Sequence, residues 1–417
     1  MKRLILTLSL SFSMSLMYGQ LTLEECQRKT QQNYPLVHRY GLIEKTKEYS
    51  LENAGKGYLP QFSLSAKATY QSDVTALPVS MPGVNIKGLP KDQYQVTAEL
   101  KQNIWDGGEI SMRKKQAAAS STVEQEQLNV DMYALNSRVN DLFFGVLLLD
   151  EQLQQNRLLQ EQLERTFKQV SAYLDGGLAN SADLDAVKVE QLSAKQKEVE
   201  LTYSRQAYLK MLALLVGEEL TETTTLVRPT PEGKFFEEVR RPELSLFDAQ
   251  ADRLNIQEKT LKTGYRPRLG LFVQGMYGNP GLNMLEDKFK LNYMAGVRFS
   301  WNFGSLYTLK NDRKMIDADR EKVLNNKEVF LFNTRLQVSQ QSSAIAAMEQ
   351  QMRDDEEIIR LRTNIRKAAE AKVANGTMTV IDMLREITNE NMARQNKSLH
   401  GVQLLKNIYQ LKYTTNN

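Results

Sequence analysis

The 417-residue sequence predicts an α+β chain in which long antiparallel coiled-coil helix pairs carry two β-hairpins. Three observations predict it. First, the chain is nearly duplicated: GYLPQFSLSAKATY from Gly57 returns as GYRPRLGLFVQGMY from Gly264, an offset of 264 − 57 = 207 residues. Second, both segments alternate apolar and polar residues with a period of two, the signature of a strand. Third, the long stretches after them lack proline and repeat apolar residues at heptad spacing, the signature of a helical seam. A duplicated unit that cannot bury its own apolar face needs neighbours, so packing between units decides the architecture.

Lys2 and Arg3 precede LILTLSLSFSMSLMYG, a basic start and an apolar centre. That pattern predicts a secretory signal peptide over residues 1–19, with cleavage after Gly19, although Met17 at the −3 position is not small. Loss of Lys2 and Arg3 lowers the formal charge from +4 to +4 − 2 = +2. A near-neutral balance argues against a nucleic-acid partner.

The first repeat is expected over residues 20–228. Leu21 to about Gly55 reads as one helix, opened by a Thr22/Glu25 capping box and ended by Pro60. A hairpin over about 61–105 follows. Phe62, Leu64, Ala66, Ala68 and Tyr70 share one face, and Tyr94, Val96, Ala98 and Leu100 form the return strand, across a loop holding Pro78, Pro82, Gly83, Gly88 and Pro90. A helical hairpin over about 108–217 comes next. Leu128, Met132, Leu135, Val139, Leu142, Val146, Leu149 and Leu153 fall at alternating spacings of four and three, and the chain turns at Gly176–Gly177. A Thr/Pro/Glu-rich connector occupies 229–242.

The second repeat, 243–417, again reads helix, β-hairpin (about 268–303) and helical hairpin (about 305–415), turning at Gly376. Leu324, Leu331, Val338, Ile345, Met352 and Ile359 recur every seven residues, with a largely polar companion position. A helix of about 60 residues would be ~90 Å long, at ~1.5 Å per residue.

Phe289, Leu291, Tyr293, Val297, Phe299 and Trp301 alternate with Lys290, Asn292 and Arg298. Alternation over some ten residues with aromatics at the ends is the pattern of a transmembrane β-strand, with the apolar set toward lipid. Unpaired strand edges in lipid cost several kcal/mol per group. Four strands cannot close a barrel, whereas a dimer would supply eight and a trimer twelve. No run of eighteen apolar residues follows the N-terminus, so no transmembrane helix is expected in the mature chain.

The opening LTLEECQRKTQQNYP, the two strand starts GYLPQFSL and GYRPRLGL, and the glycine-containing helical turns, taken in their duplicated order, resemble the TolC-like outer-membrane efflux proteins. The resemblance covers essentially the whole mature chain. It implies a homotrimer in the outer membrane of a Gram-negative bacterium. A twelve-stranded β-barrel with porin activity would continue into a periplasmic α-helical barrel. The assembly would be the exit duct of a tripartite efflux or type I secretion system. Its partners would be a periplasmic adaptor and an inner-membrane transporter of RND, ABC or MFS type, with no cofactor.

The resemblance also implies sites. The family's adaptor-docking turns correspond to Gly176, Gly177 and Leu178 and to Asn375, Gly376 and Thr377, with Gly176 and Asn375 in place of its valine. Its acidic periplasmic gate corresponds to Asp382. Arg385 replaces the second acidic residue, and Met378 replaces the arginine partner. Asp183, with Asp185 beside it, holds the equivalent place in the first repeat. Asp183 and Asp382 also suit plain helix capping after Ser181 and Thr379.

Little suggests an enzyme. His38, His400 and Cys26 are too few for a His/Cys metal site, and a single cysteine forms no intramolecular disulfide. Cys26 reads as a helix-face residue. Ser111-Met-Arg-Lys114 and Lys262-Thr-Gly264 match two motifs of penicillin-recognising enzymes, but no Ser-Asp-Asn lies between them. The alternative function is a secreted coiled-coil scaffold or adhesin without a pore, which explains the heptads but not the four alternating strands.

Overall fold

The computed structural model describes residues 21–75, 89–230, 238–284 and 286–416. The signal peptide expected at 1–19, the loop residues Pro78, Pro82, Gly83 and Gly88, and residues 231–237 of the connector lie outside the described residues. The elements are α1 (Leu23–Asn33), α2 (His38–Gly55), β1 (Gln61–Tyr70), β2 (Asp92–Trp105), α3 (Glu109–Tyr133), α4 (Leu135–Asp175) and α5 (Ser181–Val216). They continue with α6 (Pro242–Leu261), β3 (Arg268–Asn279), β4 (Lys290–Ser300), α7 (Ser305–Ala374) and α8 (Val380–Thr415). The duplication survives into the structure: β1 begins at Gln61 and β3 at Arg268, again 268 − 61 = 207 residues apart.

The chain divides into two compact units. One takes the residues up to Val37, Asp131–Arg241 and the chain from Leu331 onward; the other takes His38–Val130 and Pro242–Phe330.

The first unit is helical. One buried cluster joins α1, α4, α5, α7 and α8 through Leu23, Phe143, Phe144, Leu212, Ile345 and Tyr409. Phe144 lies 5.5 Å from the Tyr409 ring. A second cluster joins α4, α5, α7 and α8 through Val170, Val187, Val373, Val380 and Met383. Cys26 is fully buried in the first cluster, and burial pushes its thiol up to about 12. Tyr133 stacks on Tyr413 at 5.0 Å, and the Arg241 guanidinium lies about 5 Å from both rings.

Four expectations about the helices need correction. The expected first helix, Leu21 to Gly55, is split. Pro35 disfavours helical angles in the residue before it, so Tyr34 goes extended (ψ 134°), and a short 3₁₀ turn leads into α2. In the first seam Leu128, Met132, Leu135, Val139, Val146 and Leu153 are buried, but Leu142 and Leu149 are only half-buried. Phe143 and Phe144 take up the packing. The second seam begins at Leu331, since Leu324 is exposed, and its polar companions Thr334 and Asp355 are buried in it. α7 is 70 residues long, about 105 Å at ~1.5 Å per residue, longer than expected.

The second unit carries one antiparallel four-stranded sheet in the order β1–β2–β3–β4. Directly paired residues share a face. On β1–β2, Phe62 pairs with Leu100, Leu64 with Ala98, Ala66 with Val96 and Ala68 with Tyr94. Leu100 then pairs with Val273 and Val96 with Tyr277, and on β4 Leu271 meets Val297 while Tyr277 meets Leu291. The register therefore gathers the apolar sets of all four strands on one side. A bulge between Asn103 and Trp105 resets the alternation and keeps Trp105 on that side.

A packing prediction follows for the helical unit. A Cβ on Gly145 would sit 2.3 Å from the Tyr208 ring, where α4 passes α5. Gly145→Ala should therefore destabilise the protein by about 1–3 kcal/mol. Chemical denaturation followed by circular dichroism measures it, with Gly145→Ala/Tyr208→Ala recovering part of the loss.

Candidate functional site

The apolar face of the sheet is bare. Thirteen large side chains on it are exposed: Phe62, Leu64, Tyr70, Tyr94, Val96, Leu100, Leu271, Val273, Tyr277, Leu291, Tyr293, Val297 and Phe299. Leu291 and Tyr293 are 78% and 82% exposed. At about 1.5 kcal/mol or more for burying each, the unrealised burial is about 20 kcal/mol. An exposed apolar face of this extent is the kind of surface that marks a membrane or protein contact.

The residues are also banded. Tyr70, Tyr94, Tyr277 and Phe289 lie toward one end of the strands, with the Tyr277 and Phe289 rings 5.8 Å apart. Trp105, Phe299, Trp301 and Phe303 lie toward the other, with Trp301 and Phe303 4.8 Å apart. Between them are aliphatic residues such as Leu64, Ala98, Val273 and Val297. From Leu291 to Phe299 is eight steps, ~27 Å at ~3.4 Å per residue. Of the six residues expected on a lipid-facing strand, Leu291, Tyr293, Val297 and Phe299 lie inside β4. Phe289 and Trp301 flank it, because the hairpin is shorter than the expected 268–303. Just past the end of β4, Trp301 Nε1 donates to the Tyr265 carbonyl at 2.9 Å.

The opposite face is polar. Lys67, Gln95, Thr97, Glu99, Lys101, Gln274, Lys290, Asn292 and Arg298 share it by register.

The two expected docking turns have the same construction. After α4, Leu178 N–H donates to the Tyr173 carbonyl (2.8 Å) and Gly177 N–H to that of Leu174 (3.1 Å). After α7, Thr377 N–H donates to Lys372 (2.9 Å) and Gly376 N–H to Val373 (2.9 Å). Both are Schellman turns, and both need a left-handed residue, with φ +72° at Gly177 and +66° at Gly376. Val170 and Val187 flank one turn, Val373 and Val380 the other, and all four belong to one buried cluster. The structure thus brings the two turns to one end of the helical unit. Leu178 is exposed there, with Gly176, Asn375 and Thr377.

The acidic candidates sit just past these turns. Asp382 N–H donates to Thr379 Oγ1 (3.1 Å), and that hydroxyl donates to Asp382 Oδ2 (2.7 Å). Arg385 Nη2 donates to Asp382 Oδ1 at 2.9 Å, so the structure joins these two residues directly. Asp183 forms a reciprocal capping box with Asn180, both bonds 3.0 Å. The cap is Asn180 and not Ser181, a correction of one residue. Asp185 is exposed. Met378 packs against the buried cluster.

One polar constellation escaped the sequence reading. Glu390, on the buried side of α8, accepts from Thr363 Oγ1 (2.9 Å), from Arg394 Nε (3.0 Å) and from Arg366 Nε. Burial alone would push its carboxyl up; the bonds from Arg394, Arg366 and Thr363 outweigh it, and the net direction is down from the ordinary 4.5. The available signal was the seam itself. Val380, Met383, Ile387, Glu390 and Arg394 continue at spacings of three, four, three and four, so a carboxylate falls on a core position. His400 Nδ1 likewise meets buried Asp355 at 2.8 Å.

Residues 43–218 match the model of the family described as outer membrane efflux protein. Comparison with curated proteins gives no significant match. Among solved structures, the fold is similar to the outer membrane protein VceC of Vibrio cholerae, with a TM-score of 0.66 at 14% identity, covering 94% of each chain. It is also similar to the CmeC outer membrane channel of Campylobacter jejuni (0.64, 14%, 94% of this chain and 85% of that one). A third is the open state of the MtrE outer membrane channel of Neisseria gonorrhoeae (0.65, 13%, 94% and 88%). At such identities the likeness is one of fold.

The Glu390 cluster predicts an acid-sensitive helical unit. A carboxyl held low contributes stability above its unfolded value and loses it as pH falls through the folded value, here below 4.5. Glu390→Ala should cost about 1–3 kcal/mol, because Thr363 and Arg394 lose their acceptor and Arg366, 16% exposed, keeps Glu370 but loses its second carboxylate. Denaturation midpoints compared at neutral and acidic pH should show the gap between parent and variant narrowing on acidification.

Proposed function

We propose that this chain, matched over residues 43–218 by the outer membrane efflux protein model, is one protomer of the exit duct of a tripartite efflux or secretion system. The observation that carries the reading is the bare, aromatic-banded apolar face on a sheet with two unpaired edges, β1 and β4. Lipid is the occupant that such a face fits. An open edge is not stable in hydrocarbon, so β4 of one protomer pairs with β1 of the next. Three copies give 3 × 4 = 12 strands, a barrel in the outer membrane of a Gram-negative cell. A secreted scaffold or adhesin has no use for a bare apolar sheet.

The helices supply faces for the same neighbours. α5 exposes Val189, Leu192, Val199 and Tyr203, and α7 exposes Ile358, Leu361 and Ile365, at seam spacing. The paired turns at Gly176–Leu178 and Asn375–Thr377 are the docking surface for a periplasmic adaptor, which links the duct to an inner-membrane transporter of RND, ABC or MFS type. Asp382 and Arg385, with Asp183 and Asp185, lie just beyond the turns and line the periplasmic mouth. There the Asp382–Arg385 pair helps hold the closed form.

The membrane reading predicts that the extracted protein is a trimer in detergent, and that the two faces of β4 tolerate charge unequally. Val297→Arg should cost about 2–4 kcal/mol near the midplane, and Asn292→Arg little. Heat-modifiability on gels reads both; a stable, detergent-free monomer, or equal tolerance at the two positions, contradicts the reading.

Docking is tested without straining the backbone. Gly376→Asn keeps a residue that tolerates the left-handed region and should preserve efflux. Leu178→Arg/Thr377→Arg should abolish drug resistance or secretion in a deletion strain while the trimer still forms.

A further inference from the structure

The polar face of the sheet carries a lopsided charge. Lys67, Lys101, Arg268, Lys290 and Arg298 share it with one acid of the strands, Glu99, so each chain contributes 5 − 1 = +4. Two acids beyond the strands answer part of this: Glu109 pairs with Arg268 at 2.8 Å, and Glu286 pairs with Lys290. The balance is 4 − 2 = +2 per chain. The apolar face holds no charge except Asp92 at the very start of β2.

The surplus is organised around Glu99. Lys101 Nζ reaches Glu99 Oε2 at 2.9 Å, and Arg298 Nη2 reaches Oε1 at 3.3 Å, spanning β3 to do so. The carboxylate is 15% exposed between its two cations, which remain 47% and 53% exposed. The Arg298 guanidinium lies 4.9 Å from the Phe272 ring, which fixes it over the sheet. One carboxylate thus anchors two cations and leaves a net positive, solvent-facing cluster. Lys67 stands opposite Gln95, with no acid across the pair.

We propose that this face lines the barrel lumen as an anion-attracting surface, and that the duct favours anionic solutes there. The inference rests on the duct reading above. Three copies place 3 × 2 = +6 around one low-dielectric wall, and rings of Arg and Lys select anions in pores. The acidic candidates past the helical turns carry the opposite sign, so the lumen and the mouth make separable contributions to selectivity.

The test is the reversal potential of purified full-length trimers in planar bilayers under a potassium chloride gradient. Lys67→Gln/Arg298→Gln should lower the chloride-to-potassium permeability ratio about threefold or more, and Lys67→Glu/Arg298→Glu should lower it further. Arg298 also anchors Glu99, so Lys67→Glu/Lys290→Glu, which leaves the Glu99 cluster intact, should move the ratio the same way. Open channels whose ratio ignores all three substitutions would overturn the anionic lining and leave the duct standing. A parent protein that forms no channels in the bilayer would overturn the duct and the lining with it.

Discussion

Everything distinctive in this chain depends on a sheet that cannot complete itself. Four strands are held in register by main-chain bonds, one side is apolar from edge to edge, and among the described residues both edges are open. Water is a poor partner for that side and hydrocarbon is a poor partner for those edges. On the duct reading proposed above, closure with other copies satisfies both at once. The banding has the same origin: aromatic rings suit the zone where hydrocarbon gives way to water, and they sit at the strand ends.

The helical unit solves a different problem. Long two-stranded seams slide easily past one another if every core position is an interchangeable Leu or Val. Here the seam of α8 is interrupted by Glu390, satisfied from two helices, and that of α7 by Asp355, which meets His400. A buried polar group that finds its partner in only one alignment fixes that alignment. Both interruptions link α7 to α8, in the second half of the duplication, where one heptad position is largely polar.

What was legible in the sequence was periodic. Alternation in Phe62–Tyr70 and in Leu291–Phe299 gave the strands and their faces directly, because a strand's side chains have a period of two whatever they pack against. The turns were legible because a helix C-terminus that doubles back needs a left-handed residue, and Gly177 and Gly376 announce one. The less periodic features were harder. Pro35 breaks the first helix although the apolar pattern runs past it. Ser181 and Asn180 are both good caps, and only backbone angles distinguish them. The Glu390 cluster depends on which face of α8 meets α7, which no single-helix pattern contains. The charge surplus of the polar face was hidden for a related reason: Glu99 and Arg298 are 199 residues apart and meet only across β3.

The lone cysteine gives the molecule a practical property. Cys26 is fully enclosed and its thiol is held up to about 12, so at neutral pH almost none of it is thiolate. The native chain is therefore silent to thiol reagents while folded. A cysteine introduced anywhere on its exposed surfaces would be the one sulfur that reacts, without any need to remove the natural one. Spin labels, fluorophores and cross-linkers can be placed position by position on an otherwise unmodified protein, and the sudden appearance of a second reactive thiol would itself report that the core around α1 had opened.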